Sequence, residues 1–205
     1  MDADALIAMT TSLKQTIRKT VIAQRERLSV DARAAHSAAI TERLLQLPDY
    51  RQAEAVLGYM NFGAEFASEL WVERVLAEGK RMALPKVNRH TNHLDLYWVD
   101  DLETQLAIGA WGIREPIVER CERLSGLNDV EFVLMPGVAF ARDGARLGYG
   151  GGYYDKLLAN MTQCPVLASA AFALQIVEFI PQEATDVKVE WIITEQETIA
   201  CSVDD

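Results

Sequence analysis

The chain has 205 residues, of which 50% are hydrophobic and 24% are charged, and its formal net charge is −10. This composition is typical of a globular protein, and the lack of any repeat or low-complexity linker predicts one domain over residues 1–205. The negative charge argues against nucleic acid or an anionic membrane as a partner, and no apolar run approaches the roughly 18 residues of a membrane span. We therefore expect a monomer whose partners are small molecules.

The three cysteines, Cys121, Cys164 and Cys201, stand far apart in the sequence. They form neither a zinc-binding pattern nor a CxxC pair, which is typical of reduced thiols. The first 13 residues contain aspartate but no lysine or arginine, so they lack the basic start of a signal peptide. These features predict a cytoplasmic location.

The first predicted helix spans residues 11–28, and Leu13, Ile17 and Val21 share its apolar face. Its basic residues supply a positive charge that the chain as a whole lacks. They are Lys14, Arg18, Lys19, Arg25 and Arg27. Lys14 and Arg18 are four residues apart, and Arg25 is seven residues beyond Arg18. These three residues therefore share a face that could bind a polyanion. A solvated helix face is the alternative.

A second helix is predicted after Ser29, which is a typical N-cap residue, and it is expected to run to Leu47 and to end at Pro48. The other predicted elements of this half are a strand at 55–60, a helix at 68–80, and strands at 81–85 and 94–99.

The second half of the chain predicts buried strands that alternate with turns and a helix. The predicted elements are a buried strand within 130–140 that leaves into a loop at Pro136 and Gly137, turns throughout 141–152, a helix at 153–161, a strand at 165–172 and a last strand at 189–194. Strands that alternate with helices favour a three-layer α/β/α fold with a mostly parallel central sheet.

The stretch "RLGYGGGYYDKLL" begins at Arg146 and carries four glycines within five residues. It follows a predicted buried strand and precedes a predicted helix, and ligands of α/β folds bind beyond the carboxyl ends of strands. Glycines let an anion approach the backbone amides, and the fork of Arg146 matches phosphate oxygens. The stretch is neither a GxxxxGK[ST] loop nor a GxGxxG fingerprint, and a plain flexible turn is the alternative.

Asp155 stands three positions after the last glycine of this stretch. A carboxylate beside a polyphosphate would repel it unless a hard cation lay between them, and Mg²⁺ is the usual cation in such sites. The alternative is that Asp155 only complements the positive end of its helix.

Several segments together resemble the 5-formyltetrahydrofolate cyclo-ligase family, whose members are also called 5,10-methenyltetrahydrofolate synthetases. The segments are "KQTIRKTVIAQR", "YMNFGAEFASELW", "ALPKV", "GIREP", "MPGVAFARDGARLGYGGGYYDKLL" and "AFALQIVEFIPQEATDVKVEWIIT". They occur in the family's order over nearly the whole chain, and the long glycine motif is the most specific of them.

The resemblance implies the cyclo-ligase fold, which is of the NagB, RpiA and CoA-transferase type. It also implies an ATP- and Mg²⁺-dependent reaction in which 5-formyltetrahydrofolate becomes 5,10-methenyltetrahydrofolate, with release of ADP and phosphate. Transfer of the γ-phosphoryl group onto the formyl oxygen would give an imidate-like phosphate, which nitrogen 10 then displaces. The protein's share of such chemistry is positioning and charge neutralisation.

The resemblance further implies roles for individual residues. Lys14 and Arg146 are its catalytic residues, and Asp155 and Asp186 are its magnesium ligands. The ATP-binding residues are Lys14, Arg18, Arg146, Leu147, Gly148, Tyr149, Gly150, Gly151, Gly152, Tyr153 and Tyr154. The folate-binding residues are Met60, Glu65, Trp111, Tyr149, Gly150, Gly151, Gly152 and Tyr153.

The chain departs from the family's pattern at three places. "FAS" follows Glu65 where many relatives carry a pattern like "IDT", Tyr149 is a bulky residue at a variable position, and Lys156 stands where arginine is common. Two alternatives therefore stay open, a non-catalytic nucleotide- or folate-binding paralogue and another enzyme on this scaffold, such as an isomerase or acyl-CoA transferase. The retained metal ligands argue against the first, and the lack of a transferase glutamate motif argues against an acyl-CoA transferase, whereas the fold alone does not exclude another enzyme such as an isomerase.

Overall fold

The computed structural model describes residues 3–159 and 164–201. The helices in these ranges are α1 (Ala3–Glu26), α2 (Val30–Leu44), α3 (Pro48–Gln52), α4 (Ser68–Ala77), α5 (Leu102–Gln105) and α6 (Tyr153–Leu158). The strands are β1 (Ala55–Leu57), β2 (Arg81–Asn88), β3 (His93–Val99), β4 (Leu106–Ile108), β5 (Arg114–Pro116), β6 (Arg123–Leu124), β7 (Phe132–Leu134), β8 (Ala139–Ala141), β9 (Arg146–Leu147), β10 (Val166–Ala170), β11 (Ile176–Val177), β12 (Trp191–Ile193) and β13 (Thr198–Ala200). Short 3-10 helices lie at Ala110–Gly112, Val118–Arg120 and Ala173–Gln175.

Eight strands form the central sheet in the order β13-β12-β10-β7-β1-β2-β3-β6. The five strands from β12 to β2 are parallel to one another. The edges are antiparallel, because β13 pairs with β12, and β3 pairs with both β2 and β6. The prediction of a mostly parallel sheet is confirmed.

Alternate residues of the sheet pack into different apolar clusters on its two faces. Val56 of β1 belongs to a cluster with Ile40 of α2 and Trp71 of α4, whereas its neighbour Leu57 belongs to a cluster with Leu158 of α6. All five side chains are buried or nearly so. Helices therefore cover both faces, which is the predicted three-layer arrangement.

Helix α1 packs on a second, three-stranded sheet of β11, β8 and β9. Val21 of α1 shares an apolar cluster with Leu147 of β9. Of the predicted apolar face, Val21 is buried but Leu13 is exposed, and the basic residues Lys14 and Arg25 are buried as well. These two cations have polar neighbours, because Lys14 contacts acids within residues 183–186 and Arg25 contacts the Tyr149 hydroxyl.

The prediction for the end of the second helix was wrong. Helix α2 ends at Leu44 rather than at Leu47, and Pro48 begins helix α3 instead of terminating α2. Proline is favoured at the first position of a helix because its missing N–H has no partner there in any case.

Three strand predictions also need correction. The predicted strand is β7, and the chain leaves it at the predicted loop of Pro136 and Gly137, but residues 139–141 form β8 of the small sheet instead of staying in that loop. Strand β9 lies within the predicted turns of 141–152. The strand at 189–194 is not the last, because β13 follows it. Strands of two or three residues are defined by their pairing partners rather than by local pattern. The last two residues of the predicted helix at 153–161 lie outside the described residues.

None of the helices in the described ranges combines the length and the apolar character that crossing a membrane requires.

Candidate active site

A cleft of about 1280 Å³ opens where strands β1 and β7 end. These strands are parallel neighbours, so the loops that follow them meet at the same edge of the sheet. The cleft is lined by every site residue predicted from the sequence, namely Lys14, Arg18, Met60, Glu65, Trp111, Arg146, Leu147, Gly148, Tyr149, Gly150, Gly151, Gly152, Tyr153, Tyr154, Asp155 and Asp186. The fold thus brings these residues together, and their individual roles stay predictions.

The glycine loop has backbone angles that require glycine at two positions. Gly150 has a φ of 103° and Gly152, the N-cap of α6, has a φ of 62°, both in the left-handed region. The loop is also fastened to α1, because Arg18 Nε donates a 2.7 Å hydrogen bond to the carbonyl oxygen of Gly148. Helix and loop therefore form one wall of the cleft.

Arg146 is buried at the base of this wall, and only 9% of it is exposed. Its Nη2 donates to Asp155 Oδ1 at 2.7 Å and its Nη1 donates to the carbonyl oxygen of Pro136 at 3.2 Å. These two bonds fix the plane of the guanidinium. Its Nε is buried and has no hydrogen-bond partner among residues 3–159 and 164–201.

Lys14 of α1 lines the same cleft and contacts two acids. Its Nζ donates to Asp186 Oδ2 at 2.8 Å and to Glu183 Oε1 at 2.9 Å. Burial acts to lower the pKa of Lys14, but the hydrogen bonds and charges of the two acids outweigh it, so the pKa is raised and the ammonium keeps its charge. Arg18 beside it has a pKa lowered by burial.

Asp155 and Asp186, the predicted metal ligands, approach each other from different segments. Asp155 Oδ1 accepts from the backbone N–H of Val187, the residue after Asp186, at 3.4 Å. Within the described part of the chain, no cluster of three or more histidine, cysteine or acidic side chains is arranged to hold a metal. Two carboxylates nevertheless fit Mg²⁺, which usually takes one or two from the protein and completes its shell with phosphate oxygens and water.

Glu65 lies at the other end of the cleft and is 9% exposed. Its Oε1 accepts from the Tyr149 hydroxyl at 2.6 Å and its Oε2 accepts from the backbone N–H of Phe62 at 2.7 Å. Burial raises the pKa of Glu65, and these two hydrogen bonds together with the charge of Arg25 oppose that increase. The bonds hold both oxygens in a defined orientation.

Three half-exposed aromatic side chains line the cleft: Phe62 at 45%, Tyr149 at 47% and Trp111 at 54% exposure. Trp111 has a φ of 56°, which a non-glycine residue adopts at a cost, and the guanidinium of Arg89 lies 5.4 Å from its ring centroid. Exposed aromatic rings beside a buried carboxylate suit a planar heterocycle with N–H donors.

Sequence reasoning missed two residues of the site. Arg25 was noticed only as a member of a basic face, whereas it is 4% exposed and its Nη2 donates to the Tyr149 hydroxyl at 2.6 Å. Its spacing from Arg18 was the one available signal. Glu183, the second acid on Lys14, lies in the last of the segments that resemble the family but was given no role, and its contact depends on the path of the loop before β12.

The fold and the site define a class of α/β enzymes in which a glycine-rich, cationic end of a cleft adjoins an aromatic pocket with a buried carboxylate. The model of the 5-formyltetrahydrofolate cyclo-ligase family matches residues 10–195. The chain belongs to this family, so the predicted family and the prediction of an enzyme are confirmed.

Individual relatives agree with this assignment. The chain is 30% identical to the 5-formyltetrahydrofolate cyclo-ligase of Haemophilus influenzae over 87% of its own length and 96% of that protein. It is 26% identical to the mouse protein of the same name, over 90% and 94% of the two chains. An NMR structure of the Aquifex aeolicus 5,10-methenyltetrahydrofolate synthetase superimposes with a TM-score of 0.81 at 34% identity, covering 94% of this chain and 95% of that one.

Proposed function

We propose that the protein converts 5-formyltetrahydrofolate to 5,10-methenyltetrahydrofolate at the expense of ATP, which becomes ADP and phosphate. One observation carries the proposal: in a member of this family, a single cleft joins a cationic glycine-lined end to an aromatic end with a buried carboxylate. A triphosphate suits the first end and a pterin suits the second. Their reacting groups would meet between the two.

The chemistry explains why both substrates must share one cleft. The formyl oxygen attacks the γ-phosphorus and displaces ADP, which converts a poor leaving group into a phosphate ester. Nitrogen 10 then attacks the same carbon, phosphate departs with the former formyl oxygen, and the nitrogen 10 proton passes to solvent. Each step needs close alignment of two groups, which a fixed cleft supplies.

At the cationic end, Arg146 would contact the transferred phosphoryl group, since its guanidinium is already oriented by Asp155 and Pro136. Lys14, Arg18 and the loop amides would neutralise and hold the rest of the triphosphate. Helix α6 has only six residues, so its macrodipole is small and the loop carries most of the phosphate binding.

Asp155 and Asp186 are the residues that would hold Mg²⁺. The ion neutralises phosphate charge when it is bound, as in other phosphoryl transfers. The two carboxylates have a second role in this chain, because each pairs with a cation of the site. Asp155 pairs with Arg146, and Asp186 pairs with Lys14. Removal of either acid would therefore also release a positioned cation.

At the aromatic end, Glu65 would accept hydrogen bonds from the N–H groups of the pterin, and Trp111 would cover the ring. Met60 is buried beside them in the cleft wall. The glycine loop from Tyr149 to Tyr153 lines the cleft and would contact both substrates.

The test is a direct assay with purified protein, 5-formyltetrahydrofolate, ATP and Mg²⁺. The near-ultraviolet absorbance of the methenyl product should develop, and it should not develop when ATP or Mg²⁺ is left out. No absorbance change at high enzyme concentration would reject the proposed reaction in favour of a paralogue that binds these ligands without turnover.

A further inference from the structure

A chain of two short hydrogen bonds connects three segments of the protein behind the aromatic end of the cleft. Arg25 of α1 donates through Nη2 to the Tyr149 hydroxyl at 2.6 Å, and that hydroxyl donates to Glu65 Oε1 at 2.6 Å. The Arg25 guanidinium carbon also lies 5.9 Å from the centroid of the Tyr149 ring. Because a tyrosine hydroxyl has a single proton, acceptance from the guanidinium leaves that proton for the carboxylate.

Burial of the charged Arg25 side chain is energetically unfavourable, and its contacts indicate a role in the site rather than in stability alone. Only 4% of the residue is exposed, and its Nε and Nη1 have no hydrogen-bond partner among the residues that the structure describes. A buried cation that contributed only stability would be expected to have a carboxylate in direct contact and its donors satisfied. Arg25 instead directs its one bonded donor at Tyr149.

The network leaves Glu65 ready to accept further hydrogen bonds. An ionised carboxylate has about four acceptor sites, and the Tyr149 hydroxyl and the Phe62 N–H occupy two of them. Glu65 lines the cleft, so the remaining acceptor sites are available to a ligand. Rotation of the carboxylate is prevented because each oxygen has its own fixed donor.

We propose that Arg25 is a positioning residue for the folate-binding carboxylate Glu65, and that it acts through the hydroxyl of Tyr149. This inference rests on the proposed function, in which Glu65 binds the pterin. Arg25 has no place among the cleft-lining residues, so it would affect the substrate only through the tyrosine. Tyr149, whose bulk distinguishes this chain's loop, is then the residue that transmits the effect.

The experiment compares Tyr149→Phe, Arg25→Met and the double variant with the wild type, and uses Arg27→Met as the control. Arg27 is an exposed arginine two residues further along the same chain. We measure KM for 5-formyltetrahydrofolate and for ATP, and the dissociation constant of 5-formyltetrahydrofolate by calorimetry. Each single variant should raise the folate KM about tenfold, because a hydrogen bond to a charged group is lost or weakened. The ATP KM of Arg25→Met, and both KM values of the control, should change less than about twofold.

The double variant distinguishes an indirect effect from two independent ones. If Arg25 acts through Tyr149, the double variant should be no worse than Tyr149→Phe alone. Multiplication of the two effects, or an unchanged folate KM in Tyr149→Phe, would overturn the proposal. Tyr149→Phe keeps the ring and the fold. An unchanged folate KM in this variant would therefore overturn the proposal even if Arg25→Met does not fold.

The pH dependence of kcat/KM for folate is a further test, because a merely structural role of Arg25 and Tyr149 would not change it. The titratable and charged groups around Glu65 are Arg25, Tyr149, Tyr59 and Tyr154. Of these, Arg25 and the Tyr149 hydroxyl favour the ionised carboxylate, so their loss should move the acid limb of kcat/KM for folate to higher pH. An acid limb at the wild-type pH in both variants would contradict the proposal.

Failure of the proposed function has a different signature. A wild type that binds 5-formyltetrahydrofolate without turnover would reject the reaction, and the variants' dissociation constants would still test the positioning of Glu65. A wild type that neither binds nor converts the folate would reject both.

Discussion

The two ends of the cleft are organised by different forces. At the cationic end, each key cation is already paired with an acid, Arg146 with Asp155 and Lys14 with Asp186. At the aromatic end, a single buried carboxylate is oriented by neutral donors, the Tyr149 hydroxyl and a backbone N–H. If the proposed function is correct, a triphosphate must therefore replace ion pairs at one end, whereas a pterin only adds hydrogen bonds at the other.

This difference predicts which kinetic constants depend on each end of the cleft. Acids at the cationic end would repel a bare triphosphate, so metal and nucleotide should bind there together. The aromatic end needs no such exchange, and its affinity should depend on the ionisation and orientation of Glu65. Changes at the cationic end should therefore act mainly on kcat and on the metal requirement, and changes at the aromatic end on the folate KM.

The largest effect is expected for Asp155→Ala. The change removes one of the two proposed metal-binding carboxylates and frees Arg146, so kcat should fall on the order of 10²–10³-fold while the protein stays folded. Steady-state turnover and circular dichroism check this, with Asp143→Ala as a control acid outside the cleft. Wild-type turnover with an unchanged Mg²⁺ requirement would refute the metal assignment.

Arg146→Lys should have the next largest effect. A lysine keeps the charge but cannot hold Asp155, the Pro136 carbonyl and a phosphoryl oxygen in one plane, so kcat should fall by roughly 10²-fold. The matched control is Arg142→Lys, on an arginine that makes an exposed ion pair with Glu197. An unchanged rate in Arg146→Lys would mean that Arg146 is structural.

Glu65→Gln should separate the two ends most clearly. Loss of the charged acceptor should raise the folate KM about 10- to 100-fold and leave the ATP KM nearly unchanged. Burial raises the pKa of Glu65, so in the wild type kcat/KM for folate should fall as the pH drops through a value above the usual range for glutamate. That acid limb should be missing in the variant, and Glu73→Gln on the exposed side of α4 should behave as wild type. Equal changes in both KM values would break the distinction between the ends.

Trp111→Ala should have the smallest effect. If the indole covers the pterin, its removal should raise the folate KM about three- to tenfold, which is the scale of one aromatic contact. Ile108→Ala tests the same hairpin between β4 and β5 with a side chain that is 80% exposed and does not line the cleft. Equal effects of the two substitutions would mean that Trp111 acts through the shape of the hairpin.

The cationic end could be predicted from the sequence to a greater depth than the aromatic end. Arg146 and Asp155 are nine residues apart within one motif, so their ion pair follows from a local pattern. Tyr149 is 84 residues from Glu65 and 124 residues from Arg25, and those contacts depend on how α1 and the loop after β1 pack against the glycine loop. No spacing rule connects such distant positions.

The fold also combines features that a local sequence pattern predicts with features that depend on contacts between distant segments. The parallel sheet and its covering helices follow from buried runs and helical periodicity. The strands β9 and β13 have two and three residues, and only their partners β8 and β12 define them. The burial of Lys14 was likewise hidden, because a lysine on a helix face is exposed unless acids from elsewhere in the chain surround it, as Glu183 and Asp186 do here.

The central claim is that the cleft brings the formyl oxygen of the folate to the γ-phosphorus of ATP. A single-turnover reaction with ¹⁸O in the formyl group, followed by mass spectrometry of the released phosphate, tests it most directly. We predict that the label appears in inorganic phosphate in a one-to-one ratio with the methenyl product. Unlabelled phosphate, with the ¹⁸O released to water, would contradict it.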